Sequence, residues 1–279
     1  MSYRILLAIT LTALALSNLL GQAGQRGGQA APPAGAPAGA GAPAAGQGGR
    51  GGGRGQAQAP QTAREAAPID LTGYWVSIVT EDWRYRMVTP AKGEYRRIPA
   101  SPAALPLINN WDPLADERAG NQCKSYGAGA IMSVPGRLHI TWHDADTLRV
   151  DTDAGTQTRL FRFSTRAAAP ATTLPPTWQG DSIATWERAN GPDGGGSLRV
   201  VTSNLRAGYL RKNGVPYSEQ ATMTEHFDVS PLAGDGRLLL VTTIVEDPVY
   251  LTGPYVVSPH FKKEPNGSKW EATPCSASW

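Results

Sequence analysis

The stretch "RLHITWHDADTLRVDTDAG", from Arg137 to Gly155, decides the fold of this chain. On both sides of its central turn, apolar residues alternate with polar ones, and a period of two is typical of a β-strand that is buried on one face. A turn of odd length keeps the two apolar faces together and sets Trp142 opposite Val150. The stretch therefore predicts an antiparallel hairpin with one apolar face and one polar face.

The polar face of this hairpin carries two of the chain's four histidines, His139 and His143. Residues four apart on a strand share a face, so one interpretation is a metal site, which would need at least one further ligand. The same pairing sets Arg149 opposite His143, and a cation beside a metal site is unfavourable. The alternatives are an exposed polar face and the wall of a polar pocket, and we expect neither a bound metal nor a cofactor.

Similar alternation, interrupted by Gly, Pro, Asn and Asp, recurs along the chain after residue 68. It predicts strands over residues 72–80, 84–89, 128–134, 137–143, 148–153, 157–163, 182–187, 197–203, 220–229, 236–246 and 254–262. Residues 100–122 are expected to form a short helix or a long loop, and "GPDGGG" (191–196) a flexible hairpin tip. A meander of hairpins has to protect its edge strands, and closure into a barrel does so. The predicted fold class is all-β, an antiparallel meander that closes into a β-barrel.

The first 67 residues differ from the rest in composition. Residues 1–23 combine Arg4, a mainly apolar run from Ile5 to Leu16 and then small residues, which is the pattern of a secretory signal peptide. Residues 24–67 are almost entirely Gly, Ala, Pro and Gln, and this composition predicts a disordered linker. A single barrel domain would then span residues 68–279. We expect a periplasmic or extracellular protein with no stable insertion into the membrane.

The charge distribution argues against nucleic acid as a partner. The chain has a formal net charge of +3, and its first 67 residues hold five arginines and one glutamate. The remaining 212 residues are therefore close to neutral. They have no net charge that would steer the domain to nucleic acid.

The chain contains two cysteines, Cys123 and Cys275. An exported protein meets an oxidising compartment, where a disulfide between them would fasten the C-terminal tail to the domain. Two separate free thiols are the alternative.

Glu225 interrupts an apolar row in "ATMTEHFDV". It shares a strand face with Ala221, Met223, Phe227 and Val229. A carboxylate in such a row must be paired, hydrogen-bonded or neutral. One interpretation is a structural ion pair with an arginine such as Arg199 or Arg206, and the other is a group in a cavity that acts as a general acid or base or that orients a ligand. If the protein is an enzyme, the candidate catalytic residues are Glu225, His226, His139 and His143.

Several tryptophans, and polar residues near the predicted strand ends, are candidates for binding a ligand. They are Trp75, Trp142, Trp178, Trp186, Tyr217, Asp247 and Tyr250. A small apolar or aromatic molecule is the ligand that such residues favour, and packing in a core is the alternative for each tryptophan.

Five segments in order resemble a widespread family of exported bacterial proteins of unknown function. These are "LTGYW", "PTWQGDSIATWE", "LRVVTSN", "VPYSEQATMTEHF" and "TIVEDPVYLTGPY", and the resemblance covers roughly residues 70–275. The family's motifs W-x-G-x-S-x-x-x-W-E, T-E-x-F and D-P-x-Y fall on residues 178–187, 224–227 and 247–250. The family's usual "GDTL" turn is replaced by the longer "RANGPDGGGSL", and the family assigns no reaction. Gly73-Tyr74-Trp75 is similar to the G-x-W that opens lipocalin barrels, which implies a lipocalin-like barrel.

Three functions are consistent with these features. The first is an exported protein that binds a small apolar or aromatic molecule in the lumen or at the mouth of the barrel. The second is a lyase, isomerase or hydrolase that uses Glu225, with or without a histidine, as general acid or base. The third is a structural or adhesive surface protein.

Overall fold

The alternating segments form a closed β-barrel in the computed structural model, which describes residues 61–163, 174–189, 195–234 and 236–278. The strands in these ranges are β1 (Gly73–Ile78), β2 (Arg137–Trp142), β3 (Thr147–Thr152), β4 (Gln157–Phe163), β5 (Asp181–Arg188), β6 (Gly196–Ser203), β7 (Gly208–Arg211), β8 (Val215–Tyr217), β9 (Thr222–Leu232), β10 (Gly236–Glu246), β11 (Tyr255–Val257) and β12 (His260–Glu264). The predicted signal peptide, residues 24–60 of the predicted linker and residues 191–194 of the predicted hairpin tip lie outside the described ranges.

Nine of these strands close the barrel. They follow the order β1, β2, β3, β4, β5, β6, β9, β10, β12 and back to β1. All neighbours are antiparallel except β4 and β5, which are parallel. Phe163 ends β4 and Asp181 begins β5, so the connection is long enough for the crossover that a parallel pair requires. The predicted all-β barrel is confirmed, as a mixed barrel in place of a wholly antiparallel one.

The hairpin of β2 and β3 turns its apolar face to the barrel interior, as the alternation predicts. Leu138, Ile140, Leu148 and Val150 are all buried there. The register differs from the expected one, because Trp142 faces Leu148. The backbone amide of His143 donates to the carbonyl of Thr147 at 2.9 Å, which leaves a turn of three residues. A shift of two residues preserves the faces, since side chains alternate with a period of two.

Residues 79–136, which we call the cap, connect β1 to β2. They form α1 (Trp83–Arg86), α2 (Leu105–Asn110), α3 (Pro113–Arg118), a 3-10 helix (Gln122–Tyr126) and α4 (Ala128–Ile131). The helix or loop predicted over 100–122 is confirmed, whereas 84–89 and 128–134 contain helices in place of predicted strands. Every residue of α4 is buried, and an apolar run buried on all sides has no period that separates strand from helix. Within the described ranges, no helix has the length and apolarity needed to span a bilayer.

Chain segments cover both ends of the barrel. Ile131 and Met132 of the cap pack into the same apolar cluster as the barrel strands. At the opposite end, the indole Nε1 of Trp186 donates to the carbonyl of Ala63 at 2.8 Å. The backbone amide of Arg64 donates to the carbonyl of Ala145 at 3.0 Å. Residues 61–67, which composition assigned to the linker, therefore lie against the barrel.

Cys123 of the 3-10 helix and Cys275 of the C-terminal tail form a disulfide, as predicted. The tail also follows the barrel, because the backbone amide of Thr273 donates to the carbonyl of Asp153 at 2.9 Å. The disulfide thus fastens the tail to the cap, beside Lys124.

Candidate functional site

The barrel interior contains one ion pair among its apolar side chains. Glu225 projects inward from β9, and both of its carboxylate oxygens accept hydrogen bonds from Arg159 of β4, at 2.9 and 2.6 Å. Both side chains are fully buried. The guanidinium also donates to the hydroxyl of Thr202, which in turn lies 2.8 Å from the Ser182 hydroxyl. The carboxylate that interrupts the apolar row is therefore compensated by a bidentate partner across the barrel.

The partner of Glu225 differs from the arginines that the sequence suggested. Arg199 lies on β6 opposite His226 of β9, and Arg206 stacks on the ring of Trp178 at 4.4 Å. Arg159 reaches Glu225 because both side chains point into the barrel interior, from strands that are separated only by β5 and β6. Alternation identifies this residue as well, since it breaks the row of Phe161 and Phe163 in "QTRLFRF". Neither Glu225 nor Arg159 lines any of the three cavities of about 190, 290 and 310 Å³ that the described residues form at other places.

The candidate histidines lie apart from Glu225, on the outer side of the barrel wall. His226 has its Nδ1 3.3 Å from the carboxylate of Glu187. His139 stacks on Tyr74 with ring centroids 4.0 Å apart, in a surface groove that Trp270 also lines. His143 is exposed at the hairpin end. The structure therefore does not bring Glu225 together with a histidine, and no cluster of three metal-binding side chains occurs within the described ranges.

The four candidate tryptophans do not converge on one cavity. Trp75 is buried in the barrel core, where its Nε1 donates to the carbonyl of Leu71 at 2.9 Å. Trp142 and Trp186 pack together at the end covered by residues 61–67, with ring centroids 6.4 Å apart. Trp178 lies at the cap end, where its carbonyl accepts from the amide of Ala128. Three of the four thus serve the core and the closure of one barrel end.

A cavity of about 290 Å³, which we call the cap pocket, lies between the cap and the β7–β8 hairpin. Its aromatic walls are Trp111, Tyr209, Tyr217 and Tyr250. Two of these, Tyr217 and Tyr250, are residues that the sequence analysis selected for ligand binding. Asp247, a third selected residue, accepts from the amide and the hydroxyl of Ser218 at 2.6 and 2.7 Å. It thereby fixes the residue that follows Tyr217 and has a positioning role beside the pocket.

The polar wall of the cap pocket is a triad of Tyr209, Asp116 and Lys124. The Tyr209 hydroxyl donates to Asp116 at 2.6 Å, and the Lys124 ammonium donates to the other carboxylate oxygen at 2.8 Å. Burial, together with the hydrogen bond to Asp116, raises the pKa of the Tyr209 hydroxyl. Tyr209 therefore stays protonated, and the charge of Asp116 is balanced by Lys124. A triad satisfied in this way is suited to positioning a ligand rather than to acting as a nucleophile.

Two buried hydrogen-bond donors of the cap pocket have no partner among the described residues. They are the indole Nε1 of Trp111 and the hydroxyl of Tyr217. A Cβ atom added at Gly127 or Gly208 would lie 2.5 or 2.6 Å from the Tyr217 hydroxyl, so both positions require glycine for the tyrosine to fit. A buried polar group without a partner costs about 1–3 kcal/mol. The pocket is therefore lined by two aromatic residues that each carry a buried donor without a partner among the described residues.

Sequence reasoning missed Trp111, Asp116, Lys124 and Tyr209. The first three lie in or beside short helices of the cap, and Tyr209 lies in a four-residue strand, where no periodicity marks a functional face. The Asp-Pro pair at 112–113 was a usable signal for a helix start, because Asp112 caps α3 by accepting from the amide of Leu114. Comparison with known proteins adds nothing to these residues, since the chain matches no protein-family model, no curated protein and no solved structure.

Proposed function

We propose that this protein is an exported binding protein that holds a small, uncharged aromatic molecule in the cap pocket. The observation that carries the proposal is the pair of buried, unpartnered donors, Trp111 Nε1 and the Tyr217 hydroxyl, in an aromatic-walled cavity. A hydrogen-bond acceptor on the ligand, such as a carbonyl or hydroxyl oxygen, would satisfy them. The apolar walls would contribute burial of the ring.

The size and charge of the cap pocket support this ligand class. A cavity of roughly 150 Å³ is enough to hold benzene in a protein interior. Asp116 is balanced by Lys124, and Asp112 lies 3.5 Å from Arg118. With both acidic groups paired, an uncharged ligand meets no uncompensated charge. The proposal keeps the predicted aromatic ligand but places it between the cap and the β7–β8 hairpin instead of in the lumen or at the mouth of the barrel.

Export is supported by two independent features. The first 23 residues have the pattern of a signal peptide. The disulfide between Cys123 and Cys275 is of the kind that persists in oxidising compartments. Because the disulfide joins the cap directly beside Lys124, reduction is expected to loosen the pocket as well as the tail.

Titration with phenol and indole, followed by NMR of the indole N–H signals, tests the proposal. We expect saturable shifts of the Trp111 signal, and the Trp111→Phe variant should bind about tenfold more weakly because one buried hydrogen bond is lost. Trp83→Phe is the matched control, since Trp83 is exposed and does not line the pocket. Unchanged affinity of Trp111→Phe, or shifts confined to Trp142 and Trp186, would place binding elsewhere and contradict the proposal.

A further inference from the structure

A second cavity, of about 190 Å³, shares no lining residue with the cap pocket. We call it the arginine pocket, because Arg86, Arg97 and Arg211 line it together with Tyr85 and Tyr255. Glu81 and Asp82 are its acidic residues. Arg86 donates to Glu81 at 2.9 Å, and Arg97 is paired with Asp82. Arg211, the third cation of the lining, forms no ion pair with either of these carboxylates.

Arg211 is buried, and no carboxylate of the described residues lies within 4.0 Å of its guanidinium. One Nη donates to the carbonyl of Arg96 at 2.9 Å, and the guanidinium stacks 4.3 Å from the ring centroid of Tyr85. The other Nη has no partner among the described residues. The carboxylate of Glu94 attracts this guanidinium only from beyond 4.0 Å, and stacking on the ring of Tyr85 offsets a further part of the cost of burying the charge.

Arg86, which also lines the pocket, has a similar deficit of hydrogen-bond partners. Its guanidinium is held by the carbonyls of Ser133 and Ile78 and by Glu81, yet its second Nη is buried without a partner within the described ranges. Lys212 follows Arg211 in the chain and is also buried. Burial, and to a lesser extent the nearby charge of Arg86, lower the pKa of Lys212 to about 7.

The rim of the pocket is built from strained backbone. Asp82 and Arg97 both adopt left-handed conformations, with φ of 54° and 70°. Such conformations are uncommon for residues other than glycine, and they recur at ligand sites where surrounding contacts enforce them. Here the ion pair between the two side chains joins the strained positions at the mouth of the pocket.

We propose that the arginine pocket binds a small oxyanion, a carboxylate or phosphoryl group, between Arg86 and Arg211. The two unpartnered Nη groups supply donors, and the charge of Arg211, which has no carboxylate of the described residues within 4.0 Å, supplies the attraction. Guanidinium groups match the geometry of carboxylate and phosphate oxygens. The volume of the cavity, about 190 Å³, is enough to hold the oxyanion and a small attached group. This site is independent of the uncharged aromatic ligand proposed for the cap pocket.

The site can be tested by NMR of the arginine Nε–H signals, with inorganic phosphate and acetate as probes at constant ionic strength. The two probes distinguish a phosphoryl ligand from a carboxylate ligand. We expect saturable shifts of the Arg86 and Arg211 signals with at least one probe and none with chloride. Arg211→Gln should weaken binding about tenfold, as loss of a charge-assisted contact predicts. Arg84→Gln removes the same charge from an exposed position on α1 that does not line the pocket, and should change affinity less than about twofold.

Two results would overturn the site. One is the absence of saturable shifts with both probes, and the other is equal weakening by Arg84→Gln, which would indicate a diffuse electrostatic effect. If Arg211→Gln does not fold, the wild-type shifts still decide the question. Arg97→Gln then serves as the second variant, because its side chain is 64% exposed at the rim, and weaker binding of the probe is expected.

Discussion

Removal of the carboxylate from the interior ion pair should destabilise the barrel more than any single surface change. Glu225→Leu leaves Arg159 fully buried, with its two shortest hydrogen bonds, at 2.6 and 2.9 Å, lost. Breaking a buried pair from one side costs about 3–5 kcal/mol. Domains of ordinary stability unfold with about 5–15 kcal/mol, so the variant should lose a large share of its free energy of unfolding. Urea denaturation with linear extrapolation measures this loss.

The double variant Arg159→Met/Glu225→Leu separates ion pairing from packing. Replacing a buried pair with apolar side chains of similar volume is often neutral or stabilising, so we expect recovery to within about 1 kcal/mol of the wild type. Arg118→Met is the surface control, since its pair with Asp112 is exposed and worth at most about 1 kcal/mol. A loss below about 1 kcal/mol for Glu225→Leu would refute the reasoning. The reasoning would also be refuted if the double variant lost as much free energy of unfolding as Glu225→Leu and Arg159→Met lose separately, added together.

Three further predictions concern the cap and the segments that contact it. Gly214→Ala should lower the free energy of unfolding by at least about 1 kcal/mol more than Gly120→Ala does, and it should also weaken phenol binding. Both glycines have positive φ, but only a Cβ atom at Gly214 would collide with Trp111, at 2.1 Å. Reduction of the disulfide, which joins residues 152 apart, should lower the free energy of unfolding by up to about 5 kcal/mol in urea titrations. Burial and Arg86 lower the pKa of Lys212 to about 7, so the unfolded state binds more protons above that pH. Stability should therefore rise between about pH 7 and 10, and Lys212→Met should remove this slope.

The barrel could be predicted from sequence because its strands are buried on one face only. In β2 and β3 every second residue faces the core, and that rule remains valid although the register differs by two residues from the expected one. The same rule identified Glu225 as a buried carboxylate. It did not identify its partner, because Arg159 is 66 residues away in the chain and alternation along one strand does not show which strand lies opposite.

The cap was inaccessible to the same rule for a different reason. Its helices are four to six residues long, and a segment of that length has too few turns to show a helical period. In α4 all side chains are buried, so no polar face exists to mark the structure.

The composition of residues 61–67 also led to a wrong prediction, because it assigned them to a disordered linker. Thr62 and Glu65 form a capping box, in which a few specific hydrogen bonds order a segment of low apolar content.

One irregularity in the β7–β8 hairpin explains how two different pockets can share a single short strand. Tyr209 pairs with Pro216 and Arg211 pairs with Val215, so Leu210 is an extra residue in β7. In a regular strand, residues two apart point to the same side. A bulge re-aims the chain locally, and here Tyr209 lines the cap pocket while Arg211 lines the arginine pocket. The extra residue therefore accounts for the way in which one short strand contributes a side chain to each of the two pockets.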